Sequence, residues 1–334
     1  MLREGHHQAC DPSSLGRMVM ELVDPDGILL RRDVIAAGYD DKALRRQVTG
    51  HALARIRQGA YCLRSTWESS SREQRHLLMV KAVCRQYGDD VSVSHLSAAL
   101  WWGAPLVGVR ADAVHLTHLD GEAGRRQAGV VHHRGACHVG DVTRASGHWV
   151  TSPTRTALDS CLILPRRSAV CVLDWFLHQS LTTIDELRQR AIGMGNWPGS
   201  LPLMHLLALA DSRAESPGET LVRLLIHESD IPDPVSQLDI TDAGGAWLAR
   251  VDFAWPEKMA LLEFDGLRKL TTDLREGETA LDAVVREKRR EDRLREAGWL
   301  VIRVTWDDVI HHPARTVQRI RAFLAMADRR PCTG

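Results

Sequence analysis

The stretch VDFAWPEKMALLEFDG, residues 251–266, sets Asp252, Glu263 and Asp265 among strand formers. Strand side chains alternate between faces. Val251, Phe253 and Trp255 therefore share one face, with Arg250 and Asp252 on the other. On the next strand Ala260, Leu262 and Phe264 share a face, and Glu263 and Asp265 take the opposite one. A hairpin closing over Glu257 and Lys258 pairs residues whose numbers sum to 515, which sets Asp252 opposite Glu263. Directly opposed residues hold their Cβ atoms about 5 Å apart. Carboxylates so close repel one another, and a hard divalent cation, Mg²⁺ or Mn²⁺, is a natural counter-charge because it prefers carboxylate oxygens. Asp252, Glu263 and Asp265 are the candidate ligands. A metal held there can activate water and stabilise charge on a phosphoryl group. A half-exposed hairpin that only faces solvent would read the same way.

The elements that must position these residues run in a definite order. A helix over SPGETLVRLLIHES is followed by strands VSQLDIT, WLARVDFAW and MALLEFDG, a polar loop, the helix VVREKRREDRLREAG, the strand WLVIRVTW and an amphipathic helix over PARTVQRIRAFLAMA. The order αβββαβ predicts that the last crossover joins parallel strands. Upstream, the chain reads as a loose tail (1–15), a compact region (16–67), a polar linker (68–76) and a mixed α/β middle region (77–195). The Gly- and Pro-rich run IGMGNWPGS, residues 192–200, marks the boundary to a last domain (200–334). The expected class is multidomain α+β.

The αβββαβ order, with Asp252 on the second strand and Glu263-x-Asp265 on the third, resembles the PD-(D/E)XK nuclease superfamily. Within it, RVDFAWPE, LLEFDG, REKRREDRLREAGW and VIRVTWDDV resemble the domain of unknown function related to very-short-patch-repair endonucleases, over about residues 213–328. The resemblance implies a restriction-endonuclease-like fold, Mg²⁺-dependent hydrolysis of DNA, and Asp252 and Glu263 as metal-binding acids. Asp265 stands where that superfamily usually carries a lysine. Lys269, in DGLRK, is one substitute, Lys288 on the following helix a second, and ligation by Asp265 itself a third reading. Glu219 matches an acid that related nucleases place on the first helix, and it also completes a capping box with Ser216. Gln237 is a candidate polar neighbour. The charged helix REKRREDRLRE reads as a solvated face tied by ion pairs at i, i+3 and i+4.

A second chemistry lies near the N-terminus. Between Leu30 and Arg64 there are eight Arg or Lys against three Asp, a local excess of +5 in a chain of zero formal net charge. Helix RRDVIAAG, turn, helix YDDKALRRQV and strands turning at Gln58-Gly59 give the winged helix-turn-helix order. In that layout the second helix enters the major groove of double-stranded DNA and the wing touches backbone. Lys42, Arg45 and Arg46 are expected on the exposed face of the second helix, with Leu44 and Val48 as anchors, and Arg57 and Gln58 on the wing tip. LLRRDVIAAGYDDKALRRQVTGHALARIRQGAYCL resembles the N-terminal domain of the abortive-infection (AbiEi) antitoxin family. SHLSAAL, VVHHRG and VTSPTRTALD resemble the next part of such proteins. This implies operator binding, autoregulation and a toxin-like or other protein partner. A non-catalytic transcriptional regulator of that kind is the rival to the endonuclease.

Composition narrows the rest. Hydrophobic residues are 44% and charged residues 26%, ordinary for a globular protein. Seven scattered cysteines without a C-x-x-C pair argue against a disulfide framework. With no signal-peptide pattern and no membrane-length apolar run, the expectation is a cytoplasmic protein. His132, His133, Cys137 and His138 match no standard zinc spacing, and Arg155 reads as an interdomain ion-pair partner.

Overall fold

The computed structural model describes residues 19–119, 124–135, 137–242, 244–266 and 279–329, except Met20. The chain divides into two compact units. One comprises Met1–Ala104 with Val109–Asp159, the other Pro105–Gly108 with Ser160–Gly334. The architecture is mixed α+β with several sheets, as expected.

In the first unit, β1 (Ile28–Leu30), β3 (Ala60–Leu63) and β2 (Leu53–Arg57) form an antiparallel sheet in the order β1-β3-β2. Helices α1 (Arg31–Ala36) and α2 (Asp41–Thr49) lie between β1 and β2 in sequence. Asp40 caps α2, its side chain accepting from the Ala43 N–H at 2.8 Å. Val19 is buried with Leu29, Val34 and Leu44.

Residues 68–76 are not a linker. The short helix α3 (Arg64–Ser69) is followed at once by α4 (Arg72–Tyr87), which Ser71 and Gln74 start with a capping box. Leu78 and Ala82 of α4 pack with Ile28, Leu30, Ala54, Ala60 and Cys62. Arg85 of α4 binds Asp24 and Asp33, each at 2.6 Å. This helix welds the N-terminal sheet to the rest of its unit, and the expected boundary at 67 disappears.

The remainder of the unit is β4 (Val91–Val93), α5 (His95–Trp102), β5 (Val114–His118), β6 (Arg125–Gln127), β7 (Val130–His133), β8 (Val142–Ala145) and β9 (His148–Thr151). The strands form one sheet in the order β6-β7-β5-β4-β9-β8. The chain passes from the first unit to the second within α6 (Pro153–Cys161).

The expected boundary near 192–200 also moves. Helix α7 (Arg166–His178) belongs to the second unit, with α8 (Ile184–Ile192), α9 (Leu203–Leu209) and α10 (Pro217–His227). Buried Asp174 on α7 explains why. It accepts from Thr220 Oγ1 (2.8 Å) and Arg223 (2.7 Å) of α10 and from the Asp211 N–H (2.7 Å), while Cys171 enters the same core as Leu221 and Val222.

The sheet of the second unit follows the order read from sequence: β10 (Val235–Thr241), β11 (Trp247–Trp255), β12 (Ala260–Asp265), α11 (Ala280–Glu296) and β13 (Leu300–Thr305). The spatial order is β10-β11-β12-β13, antiparallel across the first two interfaces and parallel at the last. A short helix α12 (Trp306–Ile310), capped by Thr305 and Asp308, precedes α13 (Pro313–Asp328). Phe253, Trp255, Leu262 and Phe264 pack with α10 and α13 on one face, and Leu261, Ala254 and Val301 meet Leu294 of α11 on the other. Val251 departs from the expected face. It packs with Ala249, Ile240 and Leu294, and the change coincides with Gln237, whose φ of +52° interrupts β10 between the Ser236↔Phe253 and Leu238↔Val251 rungs.

Candidate functional site

The hairpin closes through a 3-10 turn over Pro256–Lys258, with Met259 in the left-handed region. Its rungs are Phe253↔Leu262, Ala254↔Leu261 and Trp255↔Ala260, the register expected from the sequence. Asp252 and Glu263 are each one residue beyond the last of these rungs, and the Phe264 N–H donates to Asp252 Oδ2 at 2.8 Å. Both acids are buried.

Glu219 reaches the same place from the first turn of α10. Its N–H donates to Ser216 Oγ at 3.3 Å, and its carboxylate accepts from Ser216 Oγ (2.6 Å) and the Glu215 N–H (3.0 Å). It therefore caps the helix and also faces the site, where Gln237 Nε2 donates to Glu219 Oε2 (2.9 Å) and more weakly to Asp252 Oδ1 (3.4 Å). Burial raises the Glu219 pKa, and the nearby charge of Asp252 raises it further; hydrogen bonds from Ser216, the Glu215 backbone and Gln237 offset this only in part. Glycine is required just before it: a Cβ on Gly218 would stand 2.0 Å from the Phe264 ring. Only a residue without a side chain brings α10 this close to β12. Gln237 itself holds a left-handed backbone, strained for a residue with a Cβ.

Among the described residues, a cation reaches this site that was not among those expected. Arg290 of α11 places Nη2 2.9 Å from Glu263 Oε2. Glu287, one turn earlier, grips Arg290 through Nε and Nη2, both at 2.9 Å, and Arg303 of β13 binds Glu287 (2.8 Å) and Glu291 (2.9 Å). Burial works to raise the Glu287 pKa, but the bonds from Arg290 and Arg303 outweigh it and hold it down at about 2. The same carboxylates keep Arg290 firmly charged against its own burial. Lys288 is exposed on the far side of α11, so it does not reach the acids. Lys269 lies outside the described residues. Asp265 is half-buried, two residues along β12 from Glu263, and pairs in register with Thr305.

The sequence treated α11 as a solvated, ion-paired face and missed Arg290. Its i, i+3 spacing from Glu287 was the available signal, but which face of the helix meets the sheet is a tertiary fact.

Carboxylates are the donors a hard divalent cation takes, and the upward shift at Glu219 comes first from burial and then from the charge of Asp252, which a cation would offset. In kind, the residues fit a metal. In position, Glu263 is turned to Arg290 and Glu219 to Ser216 and Gln237. Among the described residues no group of three or more His, Cys, Asp or Glu stands ready to hold a metal ion.

In the first unit Lys42, Arg45 and Arg46 are exposed on α2 while Leu44 is buried and Val48 half-buried, as expected. The three cations make no ion pair among the described residues. Arg57 differs. It is half-buried, its pKa lowered by that burial, and it lies near enough to His132 to depress that imidazole. Gln86 Nε2 of α4 donates to the Gln58 carbonyl at 3.0 Å, so the turn rests on α4 and Arg57 is not free at a wing tip. Arg55 is the exposed arginine of that hairpin.

The histidines divide as strand alternation requires. His133 meets His115 (Nε2···Nδ1 2.8 Å) and His132 meets His118 (2.8 Å). Arg155 is 1% exposed and bound to Asp159 (2.7 Å) and Asp141 (3.0 Å), so its pairing lies inside one unit rather than between domains.

No family model matches the chain. It is similar to the uncharacterized proteins MT2308 and Rv2248 of Mycobacterium tuberculosis (strains CDC 1551 / Oshkosh and ATCC 25618 / H37Rv). Each is 31% identical over 184 residues, 55% of this chain, and the chain spans 65% of their length. Among solved structures it is similar to the RV2827C protein from Mycobacterium tuberculosis, at a TM-score of 0.40 and 14% identity over 69% of this chain and 90% of that one. Among the described residues no helix is long and apolar enough to cross a membrane.

Proposed function

We propose that this is a DNA-binding protein whose second unit is a metal-dependent endonuclease of the PD-(D/E)XK kind and whose first unit begins with a winged helix-turn-helix. The observation that carries the reading is that Gln237 joins Glu219, on a helix N-terminus, to Asp252, while Glu263 follows the last rung of the same hairpin and all three acids are buried. Solvated hairpin acids have no need of a strained glutamine or a glycine-tight helix contact to hold them there.

Asp252 and Glu263, with Asp265 or Glu219, are the residues that would hold Mg²⁺ or Mn²⁺. The bound metal would supply an activated water and charge stabilisation at a phosphodiester. The chain's own groups do the rest. Gln237 fixes the carboxylates of Glu219 and Asp252, and the Phe264 N–H orients Asp252. On α2, Lys42, Arg45 and Arg46 contact the DNA, with Arg55 in the place expected of Arg57.

The second reading, a non-catalytic regulator of the antitoxin type with a protein partner, is favoured by one observation: Glu263 already carries a cation, Arg290. The test is cleavage of supercoiled, linear and single-stranded DNA with Mg²⁺ and Mn²⁺, comparing the wild type with Asp252→Ala. Metal-dependent nicking that falls by at least about 100-fold in the variant, a loss of about 2.7 kcal/mol of transition-state stabilisation, supports the endonuclease. Salt-sensitive DNA binding without cleavage on any substrate leaves the regulator.

A further inference from the structure

We propose that Arg290 is the resident counter-ion of the carboxylate site, and that a divalent cation binds there only by displacing Arg290 from Glu263. The inference rests on the metal-site reading above and adds how that site is controlled.

Four observations carry it. Glu263 is buried, so its charge needs a partner whether or not a metal is present. Arg290 is such a partner at 2.9 Å, and its guanidinium is engaged elsewhere as well: Nε and Nη2 donate to Glu287, and Nη1 donates to the Arg250 carbonyl at 3.3 Å. Glu287 is anchored in turn by Arg303, so a released Arg290 keeps a carboxylate on its own helix. Finally, a guanidinium and a dication repel, so both cannot sit on one carboxylate oxygen without loss to each. Glu263 and Glu287 therefore compete for Arg290, and the cation competes with Arg290 for Glu263.

The competition predicts effects of opposite sign. Arg290→Gln removes the internal cation and should tighten binding of Mn²⁺ about tenfold or more. Glu287→Gln removes the competing carboxylate, leaves Arg290 on Glu263 and should weaken it. Arg290→Lys keeps a charge and should stay near wild type. The experiment is calorimetric titration of the full chain with Mn²⁺ in the absence of DNA, with Glu263→Gln assigning the site. Tighter binding in Arg290→Gln with weaker binding in Glu287→Gln supports the proposal. Equal or weaker binding in Arg290→Gln, when wild type binds Mn²⁺ and Glu263→Gln does not, overturns it and leaves the metal site standing. No Mn²⁺ binding by any chain overturns both. Should Arg290→Gln fail to fold, Glu287→Gln decides alone: weaker binding supports the competition, and unchanged or tighter binding refutes it.

Discussion

In the first unit the buried ionisable groups are mainly imidazoles. In the second they are carboxylates set against guanidinium groups. His76, His95, His115 and His133 lose their charge to burial: the pKa falls to about 3 at His115 and to about 4 at His76 and His133. His95 adds a left-handed backbone (φ +49°) and lies 3.5 Å, ring to ring, from His133. Neutral imidazoles fill space and exchange hydrogen bonds at little electrostatic cost. The second unit instead concentrates charge, with Glu219, Asp252, Glu263, Glu287, Arg290 and Arg303 in contact or one residue apart. Structural packing has no need of that concentration, whereas phosphodiester chemistry needs fixed charge.

The contrast can be broken most severely at its exception. Arg155 is a buried cation of the first unit, and Arg155→Met removes the guanidinium that Asp141 and Asp159 share. Removing one member of such a buried network costs about 3–5 kcal/mol. Chemical denaturation should show the loss, and a change under about 1 kcal/mol would mean that the two aspartates find other partners.

Acid separates the units more gently. A histidine whose folded pKa is depressed stabilises the fold fully above its unfolded value near 6.5, and that stability is lost as pH falls toward 4. Over this window the unfolded chain binds protons that the folded chain refuses, at about 1.4 kcal/mol per pH unit for each histidine. Glu287, held at about 2, contributes stability above its unfolded value near 4.5 and loses it only as pH falls from there toward 2. Melting followed between pH 7 and 4.5 should therefore weaken the first unit before the Glu287–Arg290–Arg303 network. Loss of that network first would reverse the comparison.

The smallest effect belongs to the surface. Arg45→Ala with Arg46→Ala should leave the melting temperature within about 1 °C and weaken DNA binding about ten- to a hundredfold. The slope of log affinity against log salt should fall by up to about 2, near one unit for each lost phosphate contact. Unchanged affinity at low salt would remove α2 from the DNA interface.

Much of the second unit was legible because strand period and turn chemistry are local. VSQLDIT and WLARVDFAW are strands over their full expected length, and the pairing sum of 515 is observed. Glu219 was legible as a cap because its pairing with Ser216 fixes where its helix begins. Arg290 was not legible: REKRREDRLRE offers several equivalent arginines, and only packing of Leu294 against Leu261 decides which one meets Glu263. Arg57 failed for the converse reason. Its exposure depends on α4, remote in sequence, folding back beneath the turn. The domain boundaries failed likewise, since polar residues 68–76 read as a linker until Arg85 is seen to tie α4 to Asp24 and Asp33.

We propose that the two units divide the work, α2 holding DNA and the Asp252–Glu263 site cutting it. The most direct test measures binding in EDTA and cleavage in Mg²⁺ or Mn²⁺ on the same DNA, for wild type, Glu263→Ala and the Arg45, Arg46 double variant. Glu263→Ala is expected to bind like wild type and not to cleave, while the double variant loses binding and, with it, cleavage at limiting protein. Cleavage by Glu263→Ala at the wild-type rate would contradict it.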